Sequence, residues 1–240
     1  MLIRFSIAIF CVACLINCDK KKDKGAATFA QLAVDNQTTT ELKLDAGRYT
    51  PTVLGLRMID VRILQELDST QHPAPIIWYN PECGTATAST TEVGGKEYDY
   101  TQSPGCDITK LSTYFDFARP TAEVNAEINS QPNKVYPATY KYVSISWCAG
   151  EMVDNNIEYQ AEGMDQVAYA GTGGCGQISA EAVPPLEIAE GETVKIALNY
   201  SIEGLVSDQG TSSCWTSTDG VTKRCISLPE FNPTASKVSP

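Results

Sequence analysis

Six cysteines, Cys83, Cys106, Cys148, Cys175, Cys214 and Cys225, follow a short apolar leader in this 240-residue chain. An even set of cysteines in an exported protein reads as three disulfides, and three staples limit the body to folds that bring those positions together. The residues alone leave the pairing open. Pairing neighbours in sequence gives Cys83–Cys106, Cys148–Cys175 and Cys214–Cys225. Each bridge would close a loop of roughly 10 to 30 residues and contribute about 2–4 kcal/mol. Zinc is the rival use of cysteine. Beyond the leader there is no Cys-x-x-Cys, and His72 is the only histidine, so the ligand spacing for zinc is missing.

The export argument rests on residues 1–18, MLIRFSIAIFCVACLINC. Arg4 is the only charge before the run ends. The run is too short for a bilayer core, which needs about 20 apolar residues, and it fits the apolar region of a secretory signal. It stops at Leu15-Ile16-Asn17-Cys18 and gives way to Asp19-Lys20-Lys21-Lys22-Asp23-Lys24. The boundary resembles a lipobox, where bacterial lipoproteins are cleaved and the new terminal cysteine is acylated. Leu15 and Ile16 match that pattern. Asn17 stands where a small Gly, Ala or Ser is usual, a departure that spirochaetal lipoproteins share. Cys14 after Ala13 is a second candidate, and a plain secretory signal is the alternative to both. The resemblance implies a signal peptide over 1–17, lipidation of Cys18 by chains such as palmitate, and a flexible tether over 18–27.

Residues 1–24 hold five basic and two acidic side chains, which leaves 13 basic against 27 acidic in the rest, a net charge of −14. A body that acidic repels phosphate, so no nucleic-acid partner is expected.

Alternation of apolar and polar residues dominates the rest. Residues 193–202, TVKIALNYSI, are the clearest strand. Residues 49–67 form a long β run in which Leu54, Leu56 and Met58 have one parity and Ile59, Val61 and Ile63 the other, predicting a bulge near Gly55. Further strands are read at 38–44, 75–79, 111–117, 135–148, 157–160 and 166–170. Residues 85–109 read as a long loop or poor hairpin, and 214–225 as a bridged hairpin turning at Asp219-Gly220. Pro184-Pro185 reads as a turn. Residues 119–131 predict the single helix, with Pro120 in its first turn and Val124 and Ile128 on one face. The sum is an all-β antiparallel β-sandwich over 28–230, with one short helix, disulfide staples and a loose tail over 231–240. Tyr136-Pro137-Ala138-Thr139 echoes Tyr49-Thr50-Pro51-Thr52, which raises the option of two packed sheet units meeting near 132.

Chemistry-bearing patterns are sparse. His72 sits in a proline-flanked loop with no nucleophile-elbow motif to serve it. Asp116, between Phe115 and Phe117, is the carboxylate that alternation sets apart from its aromatic neighbours. It is the first place to look for a hydrolase pair, although an exposed-face aspartate is the simpler reading. No cofactor is required. Calcium is the one candidate, on Asp154, Asn155, Asn156, Glu158 and Asp165, whose spacing is not that of an EF-hand. Trp78 and Trp147 read as core. Trp215, beside Cys214, is the aromatic best placed for outward contact, with packing over the bridge as the alternative.

Taken together, Leu15-Ile16-Asn17-Cys18, the lysine tether, Tyr-x-Pro-Thr before a long strand, Asn80-Pro81-Glu82-Cys83 and the strand at 140–148 resemble surface lipoproteins of the leptospiral spirochaetes. Ala46-Gly47-Arg48-Tyr49-Thr50 resembles the turn that leads into a strand in transthyretin-like and immunoglobulin-like exported domains. The resemblance implies a lipid-anchored protein of the outer membrane or cell surface and transfers no catalytic residue; the first reading is a non-enzymatic β-sandwich that binds a host or envelope macromolecule. A periplasm-facing structural or assembly lipoprotein is the alternative, and a secreted hydrolase the third reading.

Overall fold

Thr193–Tyr200 forms the strand its alternation predicts, with Val194, Ile196, Leu198 and Tyr200 buried. The computed structural model describes residues 22–39, 44–68, 72–148, 157–170 and 175–238. In chain order the strands begin with β1 (Thr28–Asn36), β2 (Arg48–Tyr49), β3 (Val53–Leu56), β4 (Met58–Leu64) and β5 (Ile76–Tyr79). Next come β6 (Thr87–Val93), β7 (Lys96–Gln102) and β8 (Phe115–Asp116), then helix α1 (Thr121–Ile128). β9 (Asn133–Val135), β10 (Ala138–Cys148), β11 (Ile157–Gln160), β12 (Ala168–Ala170) and β13 (Cys175–Ile188) follow. The last are β14 (Thr193–Tyr200), β15 (Val206–Ser207), β16 (Cys214–Thr216), β17 (Lys223–Ile226) and β18 (Phe231–Lys237).

These strands build an all-β sandwich. Its sheets run β18-β14-β1-β9, β13-β10-β4-β5, β12-β11-β3-β8 and β16-β17-β15-β2, with β6-β7 as a separate hairpin. The larger hydrophobic core among the described residues extends from Ala30 to Phe231, and a smaller cluster gathers Ile59, Ile76, Tyr79, Leu111 and Cys148. Strands from both sides of residue 132 pair directly, β1 with β9 and β14, and β4 with β10. The three bridges join Cys83 to Cys106, Cys148 to Cys175 and Cys214 to Cys225. The second and third each link residues directly opposite in an antiparallel register. Trp78 and Trp147 are in the core, as expected.

Several expectations are corrected, each by a tertiary partner. The first strand lies at Thr28–Asn36, ahead of the 38–44 reading, of which residues 40–43 lie outside the described residues. Ala30 and Ala33 weaken its apolar signal. β1 pairs in parallel with β14, from Phe29 opposite Thr193 to Asn36 opposite Tyr200. Most of the chain lies between the two strands, so no hairpin forces them antiparallel. Pro184 and Pro185 sit inside β13. The β10 register slips between Tyr140, opposite Leu186, and Tyr142, opposite Glu181, so the prolines occupy a bulge that needs no ladder donor. The tail at 231–240 is not loose over Phe231–Lys237: that segment is β18, the edge strand beside β14, where Pro233 is tolerated. The 85–109 segment holds a seven-pair hairpin, turned at Gly94 and Gly95 with φ of 58° and 81°. Both values suit the turn that follows the twist of paired strands.

The 111–117 strand shrinks to β8 because Glu82 takes its donors. The Glu82 carboxylate accepts from the backbone N–H of Ser112 (2.8 Å) and Thr113 (3.2 Å) and from both hydroxyls (2.6 and 2.7 Å). Those amides are therefore not open to a neighbouring strand. Asn80 prepares the corner: its Oδ1 accepts from Glu82 N (2.8 Å), and its Nδ2 donates to Met58 O (2.8 Å). Burial opposes the charge on Glu82, and the four hydrogen bonds overcome it, holding the carboxyl at about 2. The folded group titrates below its unfolded counterpart, so its contribution is complete above about pH 5 and is lost as pH falls toward about 2. Glu82→Gln should cost about 1 kcal/mol in urea unfolding at pH 7, discounted for partial exposure, and nothing near pH 2. An equal cost at both pH values would show that the charge contributes nothing.

Helix α1 covers the open edge of β1. Leu32 N–H donates to Ser130 Oγ (3.0 Å), Val34 N–H to Asn125 Oδ1 (2.9 Å) and Asn36 N–H to Thr121 Oγ1 (3.1 Å). Asn125 Nδ2 returns a bond to Val34 O (2.8 Å). The helix, with Ser130 just beyond it, thus imitates the next strand and hides an edge that would otherwise recruit another chain. Val124 and Ile128 are the buried helix residues, and Asn129 ends the helix in the left-handed region at φ 43°.

Candidate functional site

The parity break predicted near Gly55 is a change of sheet. β3 belongs to β12-β11-β3-β8 and β4 to β13-β10-β4-β5, and Arg57 is the single residue between them. A chain that turns a corner between sheets must bury whatever stands there, and here it buries a guanidinium. Arg57 is 7 % exposed. Its carbonyl accepts from Cys148 N (3.2 Å), which ties the corner to the end of β10.

Beside it a row of side chains crosses the β12-β11-β3-β8 sheet. Tyr169 lies opposite Glu158, Glu158 opposite Gly55, and Gly55 opposite Asp116. Residues directly opposite share a face, so the missing side chain at Gly55 leaves a gap in the row. Glu158 lies across it: a Cβ at Gly55 would come within 2.5 Å of Glu158 Cγ and 2.7 Å of Oε1. Tyr114 adds its ring, with the Arg57 guanidinium 4.5 Å from its centroid and the exposed Tyr169 ring 6.3 Å away.

The electrostatics set the two carboxylates apart. Asp116 Oδ1 accepts from Leu54 N (2.9 Å) and Ala118 N (3.0 Å), so this carboxylate holds the backbone of its own corner. Burial pushes the Glu158 carboxyl up, Asp116 adds to the shift and Arg57 works against it. Arg57 donates no hydrogen bond to any described residue, and its buried Nε has no partner. The array offers donors, an acceptor and two aromatic rings in one place, the composition of a binding site.

The candidates named from sequence fall elsewhere or only partly here. Asp116 and Glu158 are brought together across Gly55. Asp165 is exposed, and Asp154, Asn155 and Asn156 lie outside the described residues. Among the described residues no three His, Cys, Asp or Glu side chains are grouped to hold a metal. His72 is exposed beside a recess lined by Gln65, Glu92 and Tyr136. Trp215 is half-buried and packs against the core, and its backbone N–H donates to Tyr159 Oη (2.9 Å). Cys18, Cys14 and the leader lie outside the described residues. Sequence reasoning missed Arg57, Tyr114 and Tyr169. A lone charge in the apolar run Leu54-Gly55-Leu56-Arg57-Met58-Ile59 was the available signal for the first.

The tether is partly docked, contrary to the flexible reading, because its backbone and lysines find partners on the hairpin. Gly25 N–H donates to Glu97 O (2.9 Å), Glu97 N–H to Asp23 O (3.0 Å), and Ala26 N–H to Glu190 Oε1 (2.8 Å). Lys22 pairs with Glu92, and Lys24 with Asp99 (3.4 Å). Gly25 rests on the Tyr98 ring so closely that a Cβ there would overlap it.

The chain matches no protein-family model, and no curated protein and no solved structure matches it.

Proposed function

We propose that this is an exported bacterial lipoprotein, anchored by acyl chains on Cys18, whose disulfide-stapled β body is a non-enzymatic binding module at the outer membrane or cell surface. The observation that carries the reading is the leader itself: an apolar run too short to span a bilayer, ending at Leu15-Ile16-Asn17-Cys18 against a run of lysine and aspartate. Three disulfides agree with an oxidising compartment. The docked tether fits the same reading. Three residues separate Cys18 from Lys22, four steps along the chain and a reach of about 14 Å at full extension, so the β6-β7 hairpin would sit close to the bilayer. Lys22 and Lys24 are then paired with the body and are not the lipid contact. The leader and tether resemble those of spirochaetal surface lipoproteins, and the proposed partner is a host or envelope macromolecule.

Metabolic labelling with palmitate, followed by detergent phase partition, tests the anchor. The wild type and Cys14→Ala should take label and enter the detergent phase, and Cys18→Ala should do neither. Label retained in Cys18→Ala would remove Cys18 from the proposal. Protease added to intact cells separates a surface module, which is cleaved, from a periplasm-facing structural lipoprotein, which is protected.

A further inference from the structure

A buried guanidinium without a hydrogen-bond acceptor is costly unless a group from outside completes it. Arg57 is such a group: it is more than nine-tenths buried, it donates to no described residue, and it lies against Tyr114 beside Glu158. The charges around it restrict what could complete it. A cationic ligand would meet Arg57 itself. An anionic ligand would meet Glu158 and Asp116 on the same face. An uncharged ligand with several hydroxyls meets neither penalty, because its oxygens accept from Arg57 while its O–H groups donate to Glu158. Tyr169, half exposed at 51 % and standing next to Glu158 in the row, offers a ring on which the C–H face of such a ligand can rest.

We infer that the row Tyr169–Glu158–Gly55, with Arg57 and Tyr114, is a binding site for a neutral carbohydrate ring. The inference rests on the binding-module reading above and supplies its ligand class. Gly55 is the floor of the site, since any side chain there would displace Glu158. Arg57 is the donor and Glu158 the acceptor.

The test uses the full mature chain in detergent on an array of neutral, uronate-bearing and sulfated oligosaccharides. A neutral glycan that binds is then titrated calorimetrically. Tyr169→Ala and Glu158→Gln should each weaken binding by about tenfold or more, while Val221→Ala, at an exposed residue beside the Asp219-Gly220 turn, should leave it unchanged. Tyr169 is at the surface, so its variant should fold, which three intact bridges and a native circular dichroism spectrum would establish. An array with no neutral glycan bound overturns the site. So does binding that survives both substitutions, or retention of only uronate or sulfated chains with a steep salt dependence. Glycan binding by a chain found to lack the Cys18 anchor would keep the site and sink the lipoprotein reading. An anchored chain that binds no glycan would do the reverse.

Discussion

Trp78→Ala is expected to lower the unfolding free energy by about 3–5 kcal/mol, the range for removing a large aromatic from a packed core. Trp78 is 3 % exposed and joins three elements. Its strand, β5, is registered on β4 with Trp78 opposite Val61. Its ring meets Phe115 of β8 edge-on at 5.2 Å and 89°. Its Nε1–H donates to Ile128 O at 2.8 Å, one of the carbonyls a helix C-terminus leaves without an internal partner. The residue therefore secures the same helix that covers the β1 edge. Trp78→Phe separates the contributions. It keeps an aromatic ring but leaves the Ile128 carbonyl unpaired, and should cost about 1–3 kcal/mol. Urea unfolding without reductant measures both. A loss below about 1 kcal/mol for the alanine variant would mean that α1 is not held through Trp78.

Replacing Cys148 and Cys175 together by alanine is expected to cost about 3–4 kcal/mol, from the entropy of a loop spanning a sequence separation of 27. The double variant avoids leaving a free thiol. This bridge closes the excursion that carries β11 and β12, and with them Glu158 and Tyr169. Cys148 is fully buried, and its N–H bonds to the carbonyl of Arg57. Its loss should therefore weaken glycan binding as well as stability. The equivalent change at Cys214 and Cys225, which closes a separation of 11, should cost somewhat less and weaken binding less. Thermal unfolding and glycan titration of the two double variants provide the comparison. Equal binding loss in both would show that the Cys148–Cys175 bridge has no particular hold on the site.

What could be read from the sequence was local. Thr193–Tyr200 and Ile157–Gln160 carry their alternation in their own residues, and both are strands at those positions. The helix at Thr121–Ile128 follows from Pro120 and the Val124–Ile128 spacing. The bridges follow proximity because each joins elements close in the chain. What could not be read depends on a remote partner. Ser112 and Thr113 look like strand residues until Glu82 claims their donors. Pro184 and Pro185 look like a turn until the slip in β10 makes room for them. Asn125 looks like an ordinary helix asparagine, yet it stands in for a strand beside Val34. The binding row was legible only as fragments, Asp116 and Glu158, because registers among β3, β8, β11 and β12 bring together residues far apart in sequence. Arg57 became meaningful only when the break in parity proved to be a corner between sheets.

Intact mass of the protein extracted from membranes, taken before and after reduction, reads anchor and bridges together. The expected species begins at an acylated Cys18 and is lighter before reduction by six hydrogens, two for each of the three bridges. A chain that starts elsewhere or carries no acyl group would contradict the lipoprotein assignment. A mass unchanged by reduction would contradict the stapled fold on which the binding row depends.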